Sequence, residues 1–239
     1  MTEVNGTHLN KITQGDTIEE MRKLADKSVD LIIADPPYGI DFNSNHRKHS
    51  TLKSVGGIYN DGKDNTEFLS DIITEIDRVL KDDTHIYWFT RWDRVHLQLP
   101  LLERYFTVKN ALVWQKNNWS MGDLKGAYAG QYETILFAQK GRRTLNEVDG
   151  RKRHTDILQF DRVPSNKLRH SHEKPEDLID FLIRKSSVEG EIILDPFCGS
   201  GTTASCAKRL GRNFLTYELD EEYVEIANQR IEDVTKELS

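Results

Sequence analysis

In the run Val29-Asp30-Leu31-Ile32-Ile33-Ala34-Asp35-Pro36-Pro37-Tyr38, a short apolar segment rich in β-branched residues stops abruptly at Asp-Pro-Pro-Tyr. Such a run reads as a buried strand of a parallel sheet. Two consecutive prolines cannot extend a ladder, and each fixes φ near −65°. Asp35 and Tyr38 are therefore expected at the carboxyl end of a strand, where open α/β sheets bind their ligands.

Working outward, His8–Gln14 reads as a preceding strand ending at Gly15-Asp16. Ile18, Met21, Leu24 and Ala25 recur at helical spacing, which predicts a helix over 17–25 and a β-α-β unit. Phe68, Leu69, Ile72, Ile73, Ile76, Val79 and Leu80 predict an amphipathic helix over 66–81. Strands follow at 85–89, 107–114 and 132–139. The helical segment 93–105 carries Pro100 and is expected to kink or break there. Pro175 opens a helix, strands are expected at 192–194 and 214–217, and 221–231 closes the chain as a helix.

The chemistry that suits Asp35-Pro36-Pro37-Tyr38 is methylation of an exocyclic amino group on a nucleobase. That nitrogen is a poor nucleophile because its lone pair is delocalised into the ring. The Asp35 carboxylate and the rigidly aimed Pro36 carbonyl can accept its hydrogens, freeing the lone pair and opposing the positive charge that develops. Tyr38 offers a flat face for a base taken out of the duplex.

A second constellation lies near the C-terminus. Asp195-Pro196-Phe197-Cys198-Gly199-Ser200-Gly201-Thr202-Thr203 reads as a strand end, a glycine-rich turn and a helix start. Glu218 lies 23 residues beyond Asp195, at the end of the next strand, the spacing at which dinucleotide folds place an acid on ribose hydroxyls. An acid opening the loop repels phosphate and welcomes an ammonium. A ligand with both a ribose and an amino acid, S-adenosylmethionine, fits best.

The 239 residues are 37% hydrophobic and 30% charged, an ordinary globular composition for one α/β domain. Cys198 and Cys206 have neither metal-ligand spacing nor a disulfide framework. No apolar run approaches the ~20 residues of a membrane span, and the N-terminus has no secretory pattern, so the expected location is cytoplasmic. The net charge of −6 argues against nucleic acid taken alone. Its distribution argues for it: residues 140–172 carry nine Lys/Arg against four Asp/Glu. Arg142, Arg143, Arg151, Lys152, Arg153 and Arg169 in this segment are candidate contacts to a DNA backbone. A polar stretch, 41–60, follows the Asp-Pro-Pro-Tyr strand. It is read as a mobile loop whose His46, Arg47, Lys48 and Lys53 reach phosphates. Trp119 and Tyr128, between two strands, are more often core or interface than base-stacking groups.

Asp-Pro-Pro-Tyr together with Asp-Pro-Phe-Cys-Gly-Ser-Gly-Thr-Thr resembles the S-adenosylmethionine-dependent DNA amino-methyltransferases. The order of motifs resembles the β class, a circular permutation of the Rossmann-like methyltransferase fold. The resemblance extends over Gly15-Asp16, Trp114-Gln-Lys-Asn, Tyr132-Glu-Thr-Ile-Leu-Phe, His170–Pro175 and Glu218. It implies a single domain over 1–239 with a mostly parallel, seven-stranded sheet and helices on both faces, the segment 141–172 serving DNA recognition. It implies that Asp16 contacts the cofactor adenine, that Lys174 flanks the methionine end, and that Asp195, Pro196, Phe197, Cys198, Gly199, Ser200, Gly201 and Thr202 form the cofactor floor beside Asp35. Glu218, with Leu219, would hold the ribose. The target implied by Asp at the head of the tetrad is adenine N6 in double-stranded DNA, with cytosine N4 as the runner-up. An RNA or protein methyltransferase and a non-catalytic binding protein are rival classes. The family usually has His-Pro-Thr ahead of Lys-Pro, where this chain has His170-Ser171-His172-Glu173, and the insert between 141 and 170 is short. A homodimer and a cognate restriction endonuclease are the further partners implied.

Overall fold

The computed structural model describes residues 3–4, 7–38, 65–119, 125–164, 166, 168 and 173–238. The expected loop 41–60, with His46, Arg47, Lys48 and Lys53, lies outside the described residues, as do Lys167 and Arg169.

β1 (Glu3–Val4) and β2 (Thr7–His8) pair as a small antiparallel ribbon. β3 (Lys11–Gln14), α1 (Thr17–Arg22), β4 (Val29–Ala34), α2 (Thr66–Val79), β5 (Leu80–Thr90), α3 (Val95–Leu102), β6 (Thr107–Gln115), β7 (Tyr132–Lys140) and β8 (Ile157–Gln159) follow. α4 (Glu176–Ser186), β9 (Ile192–Asp195), α5 (Thr202–Arg209), β10 (Asn213–Glu218) and α6 (Glu221–Glu237) complete the chain. The main sheet has eight strands in the order β3-β10-β9-β4-β5-β7-β6-β8. Every neighbouring pair is parallel except the two that involve β7, so β7 alone runs against the rest. The eighth strand is an addition to the seven expected: Ile157–Gln159, inside a segment with no clear period, pairs with the outer edge of β6.

β4 lies between β5 and β9 and is buried at all six positions, which explains why its sequence is apolar throughout instead of alternating. Its side chains feed two cores. Ile32 and Ala34 join Met21 of α1, Leu69, Ile72, Ile73 and Ile76 of α2, and Leu101 of α3 on one face. Leu31 and Ile33 join Leu178 and Leu182 of α4, Ala204 of α5 and Ala227 of α6 on the other. Three helices thus cover each face, as expected.

Two local expectations change. Pro100 does not end α3, which continues to Leu102; the proline loses one backbone hydrogen bond, but the helix is within two residues of its end. α6 runs on to Glu237, with Arg230 and Val234 continuing its buried stripe. No helix among the described residues is long and apolar enough to cross a membrane.

Candidate functional site

Parallel strands that start on one edge all end on the other, and that second edge collects both constellations. Asp35–Tyr38 follows β4, Asp195–Gly201 follows β9, Glu218 ends β10, and Asp16 stands just beyond β3. β4 and β9 are neighbours with Ile32 opposite Leu194, so the turns that follow them are adjacent. Glu218 pairs with Gln14, and the Gly15 amide donates to the Glu218 carbonyl at 2.9 Å, which draws Asp16 to the same place.

The Asp35 carboxylate is held from two sides. The Tyr38 hydroxyl donates to Oδ1 at 2.6 Å, and the Lys174 ammonium donates to Oδ2 at 2.5 Å. Asn65, at the start of α2, donates to the Pro37 carbonyl at 2.7 Å and fastens the turn from the other side. Lys174 is itself buried, between the rings of Phe89 (5.1 Å) and Tyr38 (5.8 Å). It also faces Glu133 Oε2 at 3.4 Å, while Glu133 Oε1 accepts from Lys116 at 2.6 Å. Charges therefore alternate along Lys116, Glu133, Lys174 and Asp35. Burial pulls the Lys174 pKa down, but Asp35 and Glu133 outweigh it, and the ammonium is held above its usual range. Burial likewise opposes Glu133, yet Lys174 and Lys116 drive its carboxyl down to about 2. Burial, then the negative Asp35 and Glu133, push the Tyr38 phenol well up, so it remains a donor.

The neighbouring loop is shaped by its own acids. Asp195 Oδ1 accepts from the Phe197 amide at 2.9 Å, and burial raises its carboxyl to about 7. Glu218 accepts from the amides of Gly199 (2.8 Å), Leu219 (2.9 Å) and Asp220 (3.0 Å). Burial nonetheless keeps its pKa above the usual value. Gly201 stands at φ +79°, and a Cβ there would come within 2.9 Å of the Ala227 Cβ, so α5 can begin this close to α6 only from glycine. Gly199, at φ +51°, differs: among the described residues a Cβ there would meet nothing within 4 Å. Among those residues the loop is open above Gly199, with two hydrogen-bonded carboxyls beside the opening. Those acceptors and that space fit a ligand bearing an ammonium and vicinal hydroxyls. Asp16 caps α1 by accepting from Ile18 and Glu19, at the margin of the same opening. Cys198 and Ser200 are buried in the loop, while Pro196, Phe197 and Thr202 complete it.

Lys174, expected beside the cofactor, makes its described contacts to Asp35, Glu133 and Tyr38. The basic segment 141–172 divides. Arg142 and Arg143 follow β7 at the opposite edge of the sheet, because β7 is the reversed strand. There the Arg142 amide bonds Asp83 and the Arg143 guanidinium pairs with Glu191 at 2.8 Å. The Lys152 carbonyl accepts from Lys185 near the end of α4, beside the bridge that joins Val148 to Arg151. Arg142, Arg143, Arg151 and Lys152, expected as DNA-backbone contacts, therefore lie away from the edge that carries Asp35. Arg153 is exposed four residues ahead of β8. The chain returns to the Asp35 edge along β8, where the Arg162 amide bonds Asn117. On this edge Trp92, Trp119, Tyr128 and Tyr132 are exposed. Trp119 and Tyr128 are thus not core.

Three charged residues of this region were assigned no role from the sequence: Glu133, Lys116 and Arg230. Arg230, 3% exposed on α6, donates to Glu173 (2.8 Å), to Thr202 (2.9 Å) and to Glu176 (2.5 Å). It ties the glycine-rich loop to the turn that carries Lys174. The unusual Glu173 is therefore half of a buried ion pair.

Residues 29–229 match the family model described as DNA methylase, N6_N4_Mtase. The chain is 31% identical to the type II methyltransferase M.BglII of Bacillus subtilis, over 93% of this chain and 69% of that protein. It is 29% identical to the DNA adenine methyltransferase YhdJ of Escherichia coli K12, over 95% of this chain and 84% of that one. Among solved structures, the M1.HpyAVI–SAM complex superposes with a TM-score of 0.71 at 24% identity, over 92% of this chain and 98% of that one. The cytosine-N4-specific PvuII DNA methyltransferase superposes at 0.72 with 17% identity, over 94% and 89%.

Proposed function

The chain belongs to the N6/N4 DNA methylase family, and on that premise we propose that it transfers the methyl group of S-adenosylmethionine to adenine N6 in double-stranded DNA. The observation that carries the proposal is the Asp35 carboxylate. It is gripped by Tyr38 on one oxygen and Lys174 on the other, one strand away from the opening over Gly199.

The cofactor supplies an electrophilic methyl group on a sulfonium. Glu218 accepts hydrogen bonds from the ribose hydroxyls, and Asp195 meets the ammonium, which restores its own negative charge. Asp16 and Leu219 bound the adenine and ribose end. Tyr38 stacks on a base turned out of the duplex, a contact worth ~1–3 kcal/mol. Asp35 Oδ1 keeps a lone pair beyond the one used by Tyr38 and accepts a hydrogen of the target amino group, with the Pro36 carbonyl as a second acceptor. Their negative charge then opposes the cation that develops on nitrogen. DNA lies against the edge that carries Arg162, Trp92, Trp119, Tyr128 and Tyr132.

Adenine is favoured by the Asp at the head of the tetrad and by the likeness to YhdJ along most of both chains. Cytosine N4 is the second reading, because its amino group asks for the same acceptors. Incubation with S-adenosylmethionine and unmethylated DNA, followed by nucleoside mass spectrometry, is expected to yield N6-methyladenine. N4-methylcytosine would keep the mechanism and correct the base, and the absence of both products would overturn the proposal.

Glu218→Ala tests the cofactor half. Charge-assisted hydrogen bonds of ~1.5–3 kcal/mol correspond to a loss of ~10–100-fold in cofactor affinity by titration calorimetry. Unchanged affinity in a folded variant would defeat the ribose assignment.

A further inference from the structure

We propose that Glu133 is a positioning residue for the transfer: it holds the Lys174 ammonium against Asp35 Oδ2, which leaves Oδ1 for the target amino group. The inference rests on the reading of Asp35 just given.

β7 places Glu133 on the same face as the buried Ile135 and Phe137. An acid on the apolar face of a strand needs a partner. Oε1 has Lys116, which reaches across from β6 over the Trp114 ring at 4.8 Å. Oε2 makes no hydrogen bond among the described residues and is aimed at Lys174, 3.4 Å away. Lys174 in turn has three protons to place. One goes to Asp35, and the Tyr38 oxygen lies 3.4 Å away. Two carboxylates on separate strands thus fix one ammonium, and the geometry of Asp35 inherits that fixation. The charged and titratable groups around Lys174 are Asp35 and Tyr38 after β4, Glu133 on β7 and Lys116 on β6. Asp195, the last residue of β9, lies close enough to Asp35 to be felt electrostatically. Removing Glu133 takes away one of the two negative neighbours that offset burial. The sign is definite: the Lys174 pKa falls, and the ammonium becomes neutral at a lower pH than in the wild type.

The experiment uses Glu133→Gln in the full chain with two readouts. The first is the pH titration of the Lys174 side-chain nitrogen by ¹⁵N NMR without cofactor or DNA, assigned with Lys174→Met. The expected result is a lower titration midpoint in the variant. The second is single-turnover methyl transfer to DNA. The rate is expected to fall ~10–100-fold near neutral pH, the loss of one charged partner from a coupled network. It should drop further as pH rises, while the apparent affinities for DNA and S-adenosylmethionine hold. Glu133→Asp, which keeps the charge, is expected to restore the wild-type pH profile. An unmoved lysine titration overturns the inference whatever the activity. A rate that falls equally at every pH overturns it too, since that is a merely structural effect, as does failure of Glu133→Asp to restore the profile. A moved titration in a protein whose wild type methylates no DNA overturns instead the functional reading on which the inference rests.

Discussion

Asp35→Ala is expected to lower methyl transfer by ~10³-fold, at the upper end of what one preorganised electrostatic contact contributes. Affinity for S-adenosylmethionine should change little. The separation follows from geometry. Asp35 follows β4 and bonds Tyr38 and Lys174, whereas the opening over Gly199 is bounded by groups that follow β9 and β10. The change also leaves Lys174 with Glu133 as its remaining carboxylate partner among those described, so part of the loss reflects a displaced ammonium. Single-turnover kinetics together with calorimetric cofactor titration check the division. A folded variant that no longer bound the cofactor would show that the two halves of the site are not separate.

Arg230→Ala should unfold the protein more readily than any surface change. Arg230 and Glu173 are each 3% exposed at the side chain, and the guanidinium also serves Glu176 and Thr202. Removing one partner of a buried ion pair costs ~3–5 kcal/mol, because the other charge stays behind uncompensated. For a chain of this size that corresponds to a melting temperature lower by roughly 6–20 °C. The pair is not ideal, since Arg230 Nε is buried without a partner among the described residues. Combining Arg230→Met with Glu173→Gln should therefore recover much of the loss. Thermal unfolding of the two variants and the pair gives the coupling directly. A single variant within about 1 kcal/mol of the wild type would remove Arg230 from this role.

The helix and strand pattern was legible because it is local. β4 is apolar at consecutive positions, α2 repeats at helical spacing, and the two motifs are contiguous in sequence. Their meeting on one edge followed from parallel strands alone. Glu133, Lys116 and Arg230 were not legible in the same way, because their partners lie 41, 17 and 57 residues away. A signal did exist. Glu133 sits at an inward position of an apolar strand, and Arg230 falls in the stripe of Ala227 and Val234 on α6. A charge on an apolar face asks for a partner of opposite sign. The position of Arg142, Arg143, Arg151 and Lys152 was illegible for a different reason: composition shows that a segment is basic and says nothing of which edge it occupies. Only the direction of β7 settles that.

The reversal of β7 also sorts the connections by how freely they can diverge. The link from Gln115 to Tyr132 joins the two strands on the edge that carries Asp35, so on the proposed reading length changes there fall on the substrate side. The link from Lys140 onward opens on the far side, where a Cβ on Gly150, at φ +71°, would meet nothing within 4 Å among the described residues. A reporter or tether spliced in at Gly150 would ride on the back of the enzyme, away from the edge that carries Asp35.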